Sequence, residues 1–230
     1  YLLAASGGFA WARQLGRSWH ASLAAGLAFA LSGHLVSSSD NVQYLTTLAA
    51  LPWVFAAAHA WLAQGGPGRL ALVGLASFLC AAGGDPQAWG FAVLALPPYA
   101  ALVADLPGPR RWALSRGLAA AGAAVLGAAP AILPILAWTS VTSRGDAWSI
   151  DEAFRWWNLP PRRIAEFVVP NLFQIPTGSL SSALYPAYTG SPLGLPWVLS
   201  IYLGASVAAL AALGAVRSRP ARWLLVAAAA

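Results

Sequence analysis

The sequence is divided into apolar segments of about 14 to 22 residues, separated by short polar breaks. Crossing the hydrocarbon core of a bilayer as an α-helix takes about 20 mostly apolar residues. The segments are rich in Ala, Leu and Val and also contain Gly and Pro, which membrane helices tolerate better than soluble helices do. Only 9% of the residues are charged, against about a quarter in an ordinary soluble domain. The sequence therefore predicts an all-α, polytopic transmembrane helix bundle.

We expect seven or eight membrane crossings within a single domain, and both ends of the chain lie inside apolar runs. The polar stretch of residues 141–192 is expected to form a long extracytoplasmic loop. Ser149 and Pro161 stand where short helices along the membrane interface would begin. The expected crossings are residues 1–12, 20–36, 42–62, 70–82, 88–103, 117–138, 193–216 and 223–230.

The distribution of charge indicates how these helices are oriented. All thirteen basic residues are arginine, and nine of them lie in every second polar break. Six of the seven acidic residues lie in the other breaks, and only Asp105 shares the arginine-rich side. Because basic loops stay on the cytoplasmic side, we expect a multi-pass protein of the cytoplasmic membrane with its arginine-rich breaks inside the cell. The net charge of +6 is then a topology signal, and no nucleic-acid partner is expected.

A first group of polar residues lies at the end of the second crossing and in the break after it, and it includes His34, Asp40 and Asn41. Asp40 fits the N-cap of the next helix, with Gln43 three residues later. A capped carboxylate is also held rigidly, so Asp40 could act as a catalytic general base, with His34 and Asn41 as substrate contacts. The sequence alone leaves both roles open.

A second group is the turn Gly83-Gly84-Asp85-Pro86-Gln87. The crossing before it has only 13 residues, or about 20 Å of helix, against the ~30 Å of the hydrocarbon core. We expect this turn to lie below the membrane surface beside a cavity, where Asp85 would be catalytic and Gln87 would bind sugar hydroxyls. Alternatively the helix is tilted or shielded, and Asp85 is only an N-cap with Pro86 at the first helical position.

A third group consists of arginines on the side where arginine is otherwise rare. Their guanidinium groups suit bidentate contacts to a substrate phosphate. They could equally pair with acidic residues of the same loop. The four are Arg144, Arg155, Arg162 and Arg163.

The sequence contains no pattern typical of a disulfide, a metal site, a phosphate-binding loop or a catalytic triad. Cys80 is the single cysteine and lies in an apolar run, so an internal disulfide is excluded and a small core residue is expected. We find no cluster of metal ligands, no phosphate-binding loop and no catalytic triad in the sequence. No metal-binding residue is therefore predicted.

Several stretches follow one another in a characteristic order. They are FALSGHLVSSSDNVQYLTTLAALPWV, FLCAAGGDPQAWGFAVLALPPY, ILPILAWTSVTSRGDAW, PPRRIAEFVVPNLF and YTGSPLGLPWVL. In this order they resemble the YfhO-like family of bacterial multi-spanning membrane proteins, and the resemblance covers most of the chain. Asp85 stands where that family tends to have histidine, in Gly-His-Pro-Gln.

The resemblance implies the glycosyltransferase C-type architecture. Such enzymes take a sugar from a polyprenyl-phosphate carrier and attach it to an acceptor outside the cytoplasmic membrane, such as a cell-envelope glycan, in some cases with a divalent metal. Their principal catalytic aspartate generally lies in the first outer loop, which would precede Tyr1, so Asp40 and Asp85 would be supporting residues. The alternatives are a transporter or flippase of a lipid-linked or small polar substrate and a membrane subunit without its own site.

Overall fold

The computed structural model describes residues 1–104, 106, 109–139, 165–166, 168–169, 202 and 204–217. In this part of the chain the regular structure is helical and contains no strand, which confirms the predicted all-α class. The α-helices are α1 (Leu2–Gln14), α2 (Trp19–Ala30), α3 (Gly33–Ser37), α4 (Val42–Gln64), α5 (Pro67–Ala82), α6 (Pro86–Leu102), α7 (Arg110–Thr139) and α8 (Ala205–Arg217). A 3-10 turn, Ser38–Asp40, joins α3 to α4.

Local sequence accounts for where several helices begin. Ser18 caps α2 and Ser32 caps α3, each accepting a hydrogen bond from the backbone N–H three residues later, at 3.3 and 3.5 Å. Pro67 and Pro86 occupy the first position of α5 and α6, where the missing N–H is harmless and the fixed φ suits a helix. The predicted second crossing is thus interrupted by a new cap at Ser32.

Three helical stretches are long and apolar enough to cross a membrane by length and composition. They are Trp19–Ser37, Val42–Gln64 and Arg110–Trp138. The apolar helices Pro67–Ala82 and Ala205–Arg217 are shorter. The described helices therefore have the character of a membrane protein, while the number of crossings stays a prediction. Nearly all of residues 141–192, with the interfacial helices predicted there, lies outside the described residues.

The helices α4 to α7 alternate in direction. The first turns of α4 contact the end of α5, where Thr46 Oγ1 donates to the Gly83 carbonyl at 2.9 Å. The last turn of α4 contacts the start of α7, where Arg116 Nη2 donates to the Trp61 carbonyl at 2.9 Å. The chain therefore turns at two opposite ends of the helix group.

We call these two ends the arginine end and the carboxylate end. At the arginine end α1, α4 and α6 finish and α5 and α7 begin, and it carries Arg13, Arg17, Arg69, Arg110, Arg111 and Arg116. At the carboxylate end lie the 3-10 turn Ser38–Asp40 and the turn before α6 that contains Asp85. For these charged residues of α1 to α7, the sorting of charge along the chain corresponds to a separation in space.

Helix α4 lies at the centre of the group and packs against α1, α5, α6 and α7. Its Val54, Ala58 and Leu62 are fully buried. Helix α7 lies at the periphery and leaves large apolar side chains exposed, such as Leu126 at 77%. Such an outer face suits contact with lipid.

Two glycines allow α5 and α7 to pack closely. A Cβ on Gly127 would overlap the Gly74 backbone, with its carbonyl carbon at 2.5 Å. Because lipid tails are as apolar as leucine, membrane helices associate through close packing of small residues. The pair Gly74 and Gly127 thus fixes the distance between these two helices.

A buried polar cluster joins α1, α4 and α6. The Trp11 indole Nε1 donates to the Tyr99 hydroxyl at 2.9 Å, and that hydroxyl lies 2.8 Å from His59 Nδ1. Phe55 stacks on Trp11 with ring centroids 5.0 Å apart. The cluster ties three helices together near the arginine end.

Candidate functional site

Asp85 begins α6 at the carboxylate end and is 9% exposed. Its Oδ1 accepts hydrogen bonds from the backbone N–H groups of Gln87 and Ala88, at 3.0 and 3.1 Å. Gly84 before it has φ +102°, a conformation that a residue with a side chain rarely adopts. The expected N-cap role of Asp85, with Pro86 at the first helical position, is confirmed.

The turn that carries Asp85 is anchored on the first turns of α4. The Asp85 backbone N–H donates to Thr47 Oγ1 at 3.1 Å, and Thr46 Oγ1 donates to the Gly83 carbonyl. A Cβ on Gly83 would lie 2.5 Å from the Thr47 backbone nitrogen, so only glycine allows this approach. Cys80 is buried in the core as predicted, and its Sγ lies 3.6 Å from the Thr47 carbonyl.

Thr46 and Thr47 were missed by the sequence reasoning. The available signal was a pair of adjacent hydroxyl side chains near the start of an apolar helix. Thr47 lies five residues after Val42, about 7.5 Å along the axis of α4. The Asp85 turn therefore contacts α4 one to two turns after the start of that helix, while its depth in a membrane stays a prediction.

The Asp40 region lies at the same end but is built differently from the expectation. Asp40 belongs to the 3-10 turn, and the N-cap position of α4 is Asn41, whose side chain makes no capping hydrogen bond. The prediction that Asp40 is the N-cap is thus wrong by one residue. The extra 3-10 turn after α3 shifts the start of the helix. The side chain of Asp40 lies outside the described residues.

His34 lies in α3 and is half-buried. Its carbonyl accepts a hydrogen bond from Ser38 Oγ at 2.8 Å. His34 is within electrostatic range of the Asp85 carboxylate, although 51 positions separate the two in sequence. His34 and Asp85 thus share the carboxylate end, and the described hydrogen bonds include none between their side chains.

The other predicted site residues are either exposed or outside the described residues. Gln87 is exposed in the first turn of α6. The backbone N–H of Gly33 donates to the Tyr202 carbonyl at 2.6 Å, so the chain just before α8 returns to the start of α3. Outside the described residues lie Arg144, Arg155, Arg162 and Arg163.

The Asp85 carboxylate has one oxygen engaged and one available. Both of its hydrogen bonds fall on Oδ1, and within the described part of the chain Oδ2 accepts none. Such a carboxylate is held in place by the helix start and can still accept a proton or a hydroxyl hydrogen bond. Among the described residues no group of three or more His, Cys, Asp or Glu is placed to hold a metal ion.

Comparison with known proteins finds no family model, no curated protein and no solved structure that matches this chain.

Proposed function

We propose that this chain is part of a bacterial cytoplasmic-membrane glycosyltransferase that moves a sugar from a polyprenyl-phosphate donor to an extracytoplasmic acceptor. The observation that supports this most is the state of Asp85: buried, fixed through Oδ1 by two backbone amides, and with Oδ2 unengaged among the described residues. The order of motifs that resembles the YfhO-like family supplies the reaction class.

The reaction that fits this arrangement is displacement at the anomeric carbon of the donor sugar. A carboxylate removes the proton from the acceptor hydroxyl, whose oxygen forms the new bond to that carbon. The bond from the anomeric carbon to the phosphate oxygen breaks, and the lipid phosphate leaves with the electron pair. In the proposal Asp85 Oδ2 orients this hydroxyl or takes its proton, and Asp40, at the same end of the helix group, is a second supporting carboxylate.

The leaving phosphate carries developing negative charge, which guanidinium groups stabilise. The proposal gives this role to Arg144, Arg155, Arg162 and Arg163. His34, Asn41 and Gln87 would contact sugar hydroxyls, since they share the carboxylate end with Asp85. The donor enters from the bilayer that surrounds the apolar helices.

Asp85→Asn is the sharpest test, because asparagine caps a helix about as well as aspartate but cannot take the proton. In membranes that contain the full chain and a radiolabelled polyprenyl-phosphate sugar, we expect Asp85→Asn to lower transfer by roughly 10²-fold or more. Arg144→Ala should lower transfer as well, at unchanged expression. Transfer at the wild-type rate in both variants would remove these residues from the site.

Asp85→Ala provides the matched comparison, because it removes the cap as well as the carboxylate. It should lose about 1 kcal/mol of stability that Asp85→Asn keeps. A rate loss shared by both variants, with a stability loss in Asp85→Ala alone, assigns the rate effect to the carboxylate. Translocation of the labelled lipid in vesicles without sugar transfer would instead favour the transporter.

A further inference from the structure

At the arginine end the side chain of Arg116 lies between two indole rings. Its guanidinium carbon lies 5.1 Å from the ring centroid of Trp61 and 4.8 Å from that of Trp112. One of its N–H groups donates to the Trp61 carbonyl. Cation–π contacts on two sides hold this charge in a fixed position between α4 and α7.

A second guanidinium lies against the same connection. The connection between α4 and α5 contains Gly65 and Gly66, with φ of +68° and +91°. Arg69 Nη1 is 3.3 Å from the Gly65 carbonyl and lies 3.7 Å from the position that a Cβ on Gly66 would take. A Cβ on Gly65 would lie 3.7 Å from Arg116 Nη2. The two guanidinium groups therefore flank one two-residue turn that has no side chains of its own.

Neither of these positive charges is neutralised within the described part of the chain, where neither guanidinium is within ion-pair distance of a carboxylate. Each guanidinium has five N–H donors, and the hydrogen bonds described above use one of each set. Arg110 and Arg111, both exposed, precede Arg116 by about 9 Å or less along α7 and add to the field. The arginine end therefore has unused N–H donors and positive charge, both of which favour binding of an anion.

We propose that Trp61, Arg69, Trp112 and Arg116 form a binding site for the phosphate group of an anionic phospholipid. This basic patch would take its ligand from the cytoplasmic leaflet. The inference rests on the proposed membrane orientation, and it concerns the end opposite to the proposed sugar-transfer site.

The residue types match a lipid headgroup better than a free anion. Trp112 is 42% exposed, and tryptophan prefers the headgroup depth of a bilayer, where its ring is apolar and its N–H is polar. A guanidinium group can bind two phosphate oxygens in a bidentate geometry, whereas a lysine ammonium group cannot. Basic pockets between membrane helices on the cytoplasmic side are known sites for anionic headgroups.

The test is titration of the purified full chain in detergent with phosphatidylglycerol, with the bound fraction measured by native mass spectrometry. Phosphatidylcholine is the zwitterionic comparison and should bind more weakly. Near a membrane surface each arginine strengthens binding of anionic lipid by a factor of about five. We expect Arg69→Gln to weaken phosphatidylglycerol binding about fivefold, and Arg69→Gln with Arg116→Gln about 25-fold.

The matched control is Arg13→Gln with Arg17→Gln, which removes the same charge from the same end at two arginines that have no described contact with the basic patch. This control should change the affinity less than twofold. An equal loss in both double variants would show diffuse attraction and overturn the site. If the double variant at Arg69 and Arg116 does not fold, Arg69→Gln decides alone, since Arg69 is exposed and unchanged affinity there also overturns the proposal.

Competition with inorganic phosphate shows whether the basic patch binds a lipid phosphate or a free anion. Displacement of phosphatidylglycerol by millimolar phosphate would make the patch a site for a free anion and overturn the lipid assignment. Replacement of both arginines by lysine keeps the charge and should restore part of the affinity lost with glutamine. The lipid titration does not measure sugar transfer. A failure of the lipid-site proposal is therefore distinguishable from a failure of the proposed glycosyltransferase function.

Discussion

At the scale of the residue, the hydroxyl of Tyr99 connects two buried partners, Trp11 and His59. Tyr99→Phe keeps the ring and removes both hydrogen bonds, which leaves the Trp11 N–H without its partner. Interhelical hydrogen bonds in membrane proteins average about 0.6 kcal/mol each, and an orphaned buried donor adds to the loss. We expect about 1–2 kcal/mol lower stability. Thermal or denaturant unfolding of the protein in detergent, followed by tryptophan fluorescence, measures it.

Tyr1→Phe makes the same chemical change at a ring that is 45% exposed. Its unfolding midpoint should stay at the wild-type value. If Tyr99→Phe also leaves the midpoint unchanged, the cluster does not hold α1 against α4 and α6.

At the scale of the element, the distance between α5 and α7 depends on the Gly74 and Gly127 pair. Gly127→Ala would place a methyl group inside the Gly74 backbone, and the helices must separate to accept it. Overpacking of this kind costs roughly 1–3 kcal/mol. The same unfolding measurement should show a lower midpoint for Gly127→Ala.

Gly122→Ala, on the same helix, tests whether this loss comes from the contact. A Cβ at Gly122 would meet nothing within 4 Å in the described structure. Alanine also favours the helix over glycine by up to about 1 kcal/mol. Gly122→Ala should therefore be neutral or stabilising, and equal losses at both positions would argue against a specific α5–α7 contact.

At the scale of the whole molecule, the two ends should face opposite sides of the membrane. Ser39 is exposed at the carboxylate end, and Gly68 is exposed at the arginine end with open space around it. An impermeant maleimide should label Ser39→Cys in spheroplasts and Gly68→Cys only in inverted vesicles. Cys80, fully buried, should stay unlabelled in the folded protein. Labelling of both sites from one side would overturn the orientation and, with it, the substrate site proposed at the carboxylate end.

Local features of the fold were predictable because they depend on neighbouring residues alone. Asp85 followed by Pro86 marks a helix start in any context, and the structure confirms it. Asp40 shows the limit of this reasoning. The sequence signal for a cap at Asp40 was as clear as the one at Asp85. A 3-10 turn nevertheless takes up Asp40, and the N-cap of α4 is Asn41. Likewise α7 begins at Arg110, seven residues before the predicted apolar segment. Polar residues such as arginine also favour a helix, so the helix extends beyond its apolar part.

Composition and charge order by themselves determined the helical membrane character and the two-ended arrangement of arginine and aspartate, since both follow from transfer of side chains between water and lipid. Only the tertiary structure decided that Thr47 supports Asp85 and that Trp11 meets Tyr99. Those contacts join residues 38 to 88 positions apart. They depend on which helix faces pack together, and close packing of small residues at points such as Gly83 and Gly127 sets this.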